Sequence, residues 1–302
     1  MTSNLAFLFP GQGSQAVGMQ AGLPPDRFVA ADAALGVPLS RVIAEGPEAD
    51  LQRTENTQPA ILTTSLAWAD RLSRAGIAPS LVAGHSLGEY SALVYADALD
   101  YADALRLVRL RGQAMQAAVP EGQGAMAAIV GLPARAVADS CSEASPDASS
   151  ACQPANFNGG GQVVIAGHTE AVERAMALCK DKGAKLCKRL PVSAPFHSAL
   201  MAPAAARLAE ALGAVTLRTP RIPVLSNVTT QPHTTPDEIR RLLVEQVTAS
   251  VRWEESVLAM AERGITEAFE VGPGRVLAGL VRRIAPQMKL RSLDELTEVA
   301  HG

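Results

Sequence analysis

The sequence has few of the residues on which many protein classes depend. Its 302 residues include four cysteines, none of them in a C-x-x-C pair, so it predicts free thiols and no metal site. Lys and Arg number 27 against 30 Asp and Glu, a net charge of -3, which lacks the basic excess of nucleic-acid-binding proteins. No stretch approaches the roughly 18 apolar residues of a membrane span, and the run Leu5 to Phe9 is too short for a signal peptide. We therefore expect a cytoplasmic protein that binds neither nucleic acid nor membrane.

The composition nevertheless supports a folded α/β protein. Apolar residues make up 48% of the chain and charged residues only 19%, which allows a sizeable core. Buried strands are predicted where short apolar runs end in loop residues, as at Leu5 to Phe9 and at Leu81 to Ala83. The other elements predicted in this part are helices over 59–75, just past 86 and from 100, and strands over 222–228 and 266–271. Strands that alternate with helices predict a largely parallel sheet.

The middle of the chain has a different rhythm. Its predicted elements are a strand over 125–132, a helix over 133–144, strands over 151–157 and 162–167, a helix over 169–182 and a strand over 185–190. That order, βαββαβ, is the split ferredoxin-like unit. We therefore predict a large α/β domain formed by residues 1–121 and 194–302, with residues 122–193 inserted as a small subdomain.

A candidate nucleophile lies in Gly84-His85-Ser86-Leu87-Gly88, which matches G-x-S-x-G between a predicted strand and a predicted helix. In such a turn the serine sits on a sharp bend, and the flanking glycines let the strand and the helix pass closely. The helix N-terminus beneath the serine offers N–H groups and a partial positive charge to a developing oxyanion. This context favours a catalytic serine over a chance pentapeptide.

The few histidines limit the choice of a general base for Ser86. Three of the five lie in unfavourable positions, namely the terminal dipeptide, the end of an insert strand and a polar loop: His301, His168 and His233. His197 lies where the chain leaves the insert and re-enters the large domain, so elimination favours it as the base. An esterase or lipase is the main alternative, but the HGGG-type oxyanion loop of those enzymes is absent from the sequence.

The loop after the first strand, residues 11–16, formally matches the dinucleotide fingerprint G-x-G-x-x-A. That interpretation requires an uninterrupted helix behind the loop, and glycines and prolines between residues 18 and 25 interrupt it. Because parallel strands open their loops at one edge of a sheet, we expect the loop to place Gln12 near Ser86 instead.

Arg111 lies on the wrong face of its predicted helix for a solvated charge. On a helical wheel it falls among the apolar positions, opposite the polar stripe formed by Arg106, Arg109, Gln113 and Gln116. Arginine is rarely buried without a partner, because an unpaired buried charge is costly. The residues leave two partners open: an internal Asp or Glu, or the carboxylate of a ligand.

Several segments also occur in a recognisable order: Gly11-Gln12-Gly13-Ser14-Gln15, Gly84-His85-Ser86-Leu87-Gly88-Glu89-Tyr90, Arg111-Gly112, Asn156-Phe157-Asn158 with Gln162 to Gly167, Phe196-His197-Ser198 and Glu270-Val271-Gly272-Pro273-Gly274. Together they resemble the malonyl-CoA:acyl carrier protein transacylases of bacterial fatty acid synthesis over nearly the whole chain. The resemblance implies an α/β-hydrolase-like large domain with an inserted ferredoxin-like subdomain. It also implies a double displacement that moves malonyl from malonyl-CoA to holo acyl carrier protein.

The same resemblance assigns roles to individual residues. Ser86 would be the nucleophile and His197 the base, and Gln12 and the Leu87 N–H would form the oxyanion hole. Arg111 would hold the malonyl carboxylate. Gln246 would orient the histidine through its main-chain carbonyl. The expected substrate pocket includes His85, Asn156, Asn158 and Phe196, and the bulk of Phe196 should crowd an α-methyl branch.

The expected chemistry needs no cofactor, because a thioester is already activated. We expect a monomer whose partners are malonyl-CoA and an acidic carrier protein. One candidate docking patch is a basic cluster on the insert, although it is equally consistent with an ordinary solvated face: Lys180, Lys182, Lys185, Lys188 and Arg189. A serine hydrolase and a non-catalytic docking module are the alternatives to a transferase, and intact Ser86, His197 and Arg111 argue against the second.

Overall fold

A computed structural model describes residues 4–147, 150–192, 194–291 and 293. His301, which the sequence disfavours as a base, lies outside the described residues. In chain order the elements are β1 Leu5–Phe9, α1 Asp26–Leu35, α2 Leu39–Glu45, α3 Glu48–Gln52, α4 Thr54–Arg74, β2 Leu81–Gly84, α5 Leu87–Tyr95, α6 Tyr101–Ala117, β3 Gly124–Val130, α7 Ala134–Glu143, β4 Cys152–Gly159, β5 Gln162–His168, α8 Thr169–Asp181, β6 Leu186–Arg189, a 3-10 turn Ala199–Met201, α9 Ala202–Gly213, β7 Val224–Leu225, α10 Pro236–Gln246, α11 Trp253–Glu262, β8 Glu267–Glu270, α12 Val276–Ile284 and β9 Lys289–Arg291.

The large unit is built on a parallel sheet, as the alternation of strands and helices predicts. Its strand order is β7-β2-β1-β8-β9, and the neighbouring strands run parallel. The central strand, β1, is buried along its whole length, because helices cover both faces of the sheet. The loops that follow β1 and β2 therefore open at the same edge of the sheet.

One strand of this sheet is shorter than the sequence predicts. The predicted strand over 222–228 forms only the two residues of β7, Val224–Leu225. The chain turns away after it because Ser226 N–H donates to the Gln231 carbonyl, and Asn227 directs its side chain into the loop after β2. That departure from the sheet brings Asn227 to the candidate nucleophile.

The helices α4 and α6 pack against each other and carry polar side chains toward the sheet edge. The long helix α4 begins at Thr54, five residues before the predicted start, and keeps Pro59 inside it. The helix α6 begins as predicted, with the Asp100 carboxylate accepting from the N–H groups of Ala102 and Asp103 at 2.9 and 3.3 Å. At Gly112 a Cβ atom would lie 2.7 Å from the Thr54 carbonyl oxygen, so glycine permits the close contact.

The middle of the chain forms a second, antiparallel sheet with the strand order β4-β5-β3-β6. Its elements follow the predicted order, βαββαβ. The helices α7 and α8 pack on one face of this sheet around a separate apolar cluster that includes Ile129, Ile165 and Val172. The chain leaves β6 and returns to the large unit just before His197.

The four cysteines all belong to this second unit and are free thiols. The Sγ atoms of Cys141 and Cys152 lie 3.7 Å apart, which is too far for a disulfide bond. No group of three or more metal-binding side chains occurs among the described residues. In the same part of the chain, we find no helix that is both long and apolar enough to cross a membrane.

Candidate active site

Ser86 occupies a tight turn between β2 and α5. Its φ of 54° and ψ of -106° lie outside the regions that most residues adopt, so the turn is strained at the serine itself. A Cβ atom at Gly84 would meet Gly88 at 1.9 Å, and one at Gly88 would meet the Phe9 carbonyl at 2.0 Å. Both glycines are therefore required by the close crossing of strand, turn and helix, as the motif predicts.

His197 makes a direct hydrogen bond with the candidate nucleophile. Its Nε2 lies 2.7 Å from Ser86 Oγ, and its Nδ1 lies 2.8 Å from the main-chain carbonyl oxygen of Gln246. A carbonyl only accepts, so Nδ1 carries the proton and Nε2 is free to accept the serine hydroxyl proton. Burial, together with the charge of Arg111, lowers the pKa of His197 to about 3, which keeps the imidazole neutral.

Arg111 is buried beside the same serine, with only 2% of its surface exposed. Its guanidinium donates to three acceptors: Gln58 Oε1 at 2.9 Å, Gln246 Oε1 at 3.1 Å and Ser86 Oγ at 3.0 Å. Among the described residues no carboxylate lies within 4.0 Å of it, and its Nε has no hydrogen-bond partner there. Of the two partners that the sequence leaves open, an internal Asp or Glu therefore makes no direct contact in the described chain. Burial lowers the pKa of Arg111, and the charge of Glu89, which reaches the arginine through the Gln246 amide, opposes that shift.

The two groups predicted for the oxyanion hole come from different parts of the chain, the start of α5 and the loop after β1. The Leu87 N–H opens the first turn of α5 and has no hydrogen-bond partner in the described chain. Gln12 lies on the loop after β1, where its amide is 3.4 Å from Thr54 Oγ1. That loop lies against the serine turn, since a Cβ atom at Gly11 would lie 2.6 Å from the His85 carbonyl oxygen. Both groups line the same cavity as Ser86.

A small cavity of about 130 Å³ holds the candidate nucleophile. It is lined by Gln12, Gln58, His85, Ser86, Leu87, Arg111, Met115, Met126, Asn156, Leu190, Val192, Phe196 and His197. Asn158, also predicted for the pocket, is absent from this wall. It contacts His85 from behind, with 3.0 Å between Asn158 Oδ1 and His85 Nε2. Gln246 likewise does not line the cavity, but it accepts hydrogen bonds from two residues that do, His197 and Arg111.

A wider cavity of about 760 Å³ adjoins the small one and shares four of its lining residues: Gln12, Leu190, Val192 and Phe196. Of the predicted basic cluster, only Lys188 and Arg189 line this wider cavity. Arg189 also pairs with Glu173 of α8 at 3.1 Å, and Lys182 pairs with Glu143 of α7 at the same distance. The cluster is thus divided between the cavity mouth and the outer face of the insert.

The structure also reveals a polar network behind the serine that the sequence did not predict. Glu89 is fully buried and accepts from the Gln246 side chain, the Asn227 main-chain N–H and His233 Nε2, at 2.7, 3.0 and 2.8 Å. Asn227 Oδ1 in turn accepts from the Ser86 N–H at 2.6 Å. His233 was expected in a polar loop, but only 5% of its surface is exposed.

Comparison with known proteins agrees with this geometry. The family model of the acyl transferase domain matches residues 6–290 of the sequence, and the chain therefore belongs to the acyl transferase family. Its curated relatives include the malonyl CoA-acyl carrier protein transacylase of Escherichia coli strain K12, which is 49% identical over 308 residues, covering 99% of this chain and 98% of the relative.

Solved structures give the same result. An acyl carrier protein S-malonyltransferase from Vibrio cholerae has a TM-score of 0.93 and 46% identity, covering 96% of each chain. A malonyl-transacylase solved in complex with a type II PKS acyl carrier protein has a TM-score of 0.94 and 44% identity, covering 98% of this chain and 100% of that one.

Proposed function

We propose that this protein transfers malonyl from malonyl-CoA to the phosphopantetheine thiol of an acyl carrier protein, in fatty acid biosynthesis. The observation that carries the proposal is a buried arginine 3.0 Å from the nucleophilic oxygen, which forms no direct ion pair with a carboxylate of the described chain. A substrate that brings its own carboxylate next to a reactive carbonyl complements this arrangement. The names of the relatives support malonyl as that substrate.

In the first half-reaction, Ser86 Oγ attacks the thioester carbonyl while His197 Nε2 takes the hydroxyl proton. The carbonyl oxygen becomes an oxyanion that the Leu87 N–H and the Gln12 amide stabilise. Collapse of this intermediate breaks the carbon–sulfur bond, and the imidazolium returns the proton to the departing coenzyme A thiolate. The product is a malonyl ester on Ser86.

The second half-reaction follows the same route in reverse. His197 takes a proton from the pantetheine thiol of the carrier protein, and the thiolate attacks the seryl ester. The main-chain carbonyl of Gln246 fixes the imidazole for both steps and takes the place that an acidic side chain holds in many serine enzymes. The base is neutral before each step, since its pKa lies well below physiological pH.

Arg111 binds the free carboxylate of malonyl. A guanidinium presents paired N–H groups that match a carboxylate, and the unpartnered Nε is available for one of them. The cavity around it measures only about 130 Å³, so a bound malonyl group would displace solvent from it. Exclusion of water protects the seryl ester from hydrolysis.

The wider cavity takes the pantetheine arm of either thiol substrate. Lys188 and Arg189 line its wall and supply positive charge for the phosphates of coenzyme A or the acidic surface of a carrier protein. The relative solved with a type II PKS acyl carrier protein supports a carrier protein as the second substrate. We expect the reaction to need no cofactor and the enzyme to act as a cytoplasmic monomer.

We also assign each of the two structural units to a known fold. Residues 1–121 and 194–302 form an α/β-hydrolase-like domain, which the parallel sheet and the serine turn after β2 support. Residues 122–193 form a ferredoxin-like subdomain, which the antiparallel order β4-β5-β3-β6 supports. Phe196 and His197 lie where the two meet.

The test is incubation with malonyl-CoA and purified holo carrier protein, followed by intact mass measurement of the carrier. A transferase adds one malonyl group to the carrier, and the Ser86→Ala variant adds none. A serine hydrolase would release free malonate and leave the carrier unchanged. A non-catalytic docking module would leave both substrates unchanged. Either of these last two results would contradict the proposal.

A further inference from the structure

Glu89 is the buried acid nearest to the catalytic turn in sequence, and it takes no part in either half-reaction. It lies in the first turn of α5, three residues after Ser86, with no exposed surface. One carboxylate oxygen, Oε1, accepts from His233 Nε2 at 2.8 Å. The other, Oε2, accepts from the Gln246 amide at 2.7 Å and from the Asn227 main-chain N–H at 3.0 Å. A buried carboxylate that accepts three hydrogen bonds is well satisfied.

The Gln246 amide lies between Glu89 and Arg111, and the two neighbours demand opposite ends of it. A carboxylate and a main-chain carbonyl only accept, so the amide nitrogen must face Glu89 and the Ser86 carbonyl, at 2.7 and 3.1 Å. The amide oxygen is thereby turned toward Arg111 Nη2, which lies 3.1 Å away. Were the amide rotated by half a turn, two donors would face each other at Arg111.

We propose that Glu89 is a positioning residue for the substrate carboxylate, an inference that rests on the proposed function. Through the orientation of the Gln246 amide, it fixes the acceptor that holds the Arg111 guanidinium next to Ser86. Glu89 contacts neither the substrate nor the reacting atoms. Its effect therefore falls on malonyl, which needs Arg111, and not on acetyl, which has no carboxylate.

A purely structural role predicts a different result. If Glu89 only neutralises the interior or anchors Asn227 and His233, its loss weakens the fold or the serine turn. Both would slow acylation by malonyl-CoA and by acetyl-CoA to the same degree. The ratio of the two acylation rates therefore separates positioning from structure, whereas either rate alone does not.

Glu89→Gln is the conservative variant, and the network can accommodate it. The new amide oxygen can face Gln246 and Asn227, and its nitrogen can face His233 Nε2. His233 Nδ1 has no partner in the described chain, so the ring can move its proton there and accept at Nε2. The orientation of Gln246 survives in this variant, although the charge of Glu89 is lost.

Two other variants remove the nearest acceptor of the Gln246 amide nitrogen, and leave it the Ser86 carbonyl at 3.1 Å and Asn227 Oδ1 at 3.4 Å. Glu89→Leu keeps the approximate volume but has no polar atom. Glu89→Asp keeps the charge and draws the carboxylate back by one carbon–carbon bond, out of hydrogen-bond reach of Gln246. The aspartate variant keeps the test decisive should the leucine variant fail to fold.

Glu270 supplies a matched control, because it is a second buried glutamate whose described hydrogen bonds include none to this network. Only 6% of its surface is exposed, and its carboxylate accepts from the N–H groups of Leu277 and Ala278 at the start of α12. Glu270→Leu should lower the melting temperature and leave the ratio of the two acylation rates unchanged.

The experiment measures single-turnover acylation by malonyl-CoA and by acetyl-CoA for the wild type and these variants. We expect Glu89→Leu and Glu89→Asp to lower the malonyl-to-acetyl ratio by about tenfold or more, the scale of losing a hydrogen bond to a charged group. Glu89→Gln should restore the ratio to within about threefold of the wild type. A folded Glu89→Asp that retains the wild-type ratio would overturn the proposal, as would a Glu89→Gln as impaired as Glu89→Leu. A wild type with no preference for malonyl would overturn the proposed function itself, whereas a wild-type preference that persists in every variant overturns only the role of Glu89.

Discussion

Replacing Arg111 with alanine is expected to lower kcat/KM for malonyl-CoA far more than for acetyl-CoA. The guanidinium is 2% exposed, and the three hydrogen bonds that it makes go to uncharged groups. No carboxylate of the described chain forms an ion pair with it, so the carboxylate of malonyl has no direct competitor. Without the guanidinium, a bound malonyl would have an unpaired charge in a desolvated site. Breaking such a pair costs about 3–5 kcal/mol, which corresponds to about 10²- to 10⁴-fold in kcat/KM.

Acetyl-CoA makes no use of the clamp, so its specificity constant should change little in the same variant. Arg111→Lys should recover part of the malonyl activity, because an ammonium supplies the charge and lacks the planar pair of donors. Arg106→Ala is the matched control: Arg106 lies on the exposed face of the same helix and pairs with Asp103 at 3.1 Å. It should leave both substrates unaffected.

The assay compares kcat/KM for malonyl-CoA and acetyl-CoA in the wild type and the three variants, with melting temperatures measured alongside. A malonyl-to-acetyl ratio that does not change in Arg111→Ala would refute the reasoning. It would mean that Arg111 stabilises the fold and that the substrate carboxylate binds elsewhere.

Three further predictions follow from the same geometry. His197→Ala should slow acylation by about two decades or more in a burst assay, whereas His168→Ala should leave it unchanged. Because the pKa of His197 is about 3 in the folded state and about 6.5 when unfolded, the unfolded state binds the proton first on acidification. Urea titrations should therefore show the free energy of unfolding falling between pH 6.5 and 5, by up to about 1.4 kcal/mol per pH unit from this group. The fall should be shallower in His197→Gln, and equal slopes in the wild type and this variant would contradict the assignment. The double variant Lys188→Glu and Arg189→Glu should raise the KM for carrier protein and have a smaller effect on kcat. An unchanged KM would exclude this patch as the docking surface.

The serine turn could be predicted from the sequence because its causes are local. The flanking glycines, Gly84 and Gly88, are needed by contacts within a few residues of the serine and with the adjacent strand β1. The cap at Asp100 is equally local. The buried position of Arg111 followed from helical periodicity alone, since the period of a helix specifies which face a residue occupies.

The network behind the serine could not be predicted, because its hydrogen bonds join distant parts of the chain. Glu89 and Gln246 are separated by 157 residues, and Glu89 and His233 by 144. His233 lies in a segment of polar residues that has the composition of an exposed loop, and only the tertiary contact with Glu89 buries it. Gln58 was missed for a similar reason, since it faces Arg111 from a helix whose first turn the sequence placed outside the helix.

The central claim is that Ser86 carries the malonyl group between the two thiols. The most direct measurement is a reaction of the enzyme with malonyl-CoA in the absence of carrier protein, quenched in acid and analysed by intact mass and peptide mapping. We expect the mass of one malonyl group, located on the peptide that contains Ser86 and lost when holo carrier protein is added before the quench. An adduct on any of the four cysteines, or no adduct at all, would contradict the account.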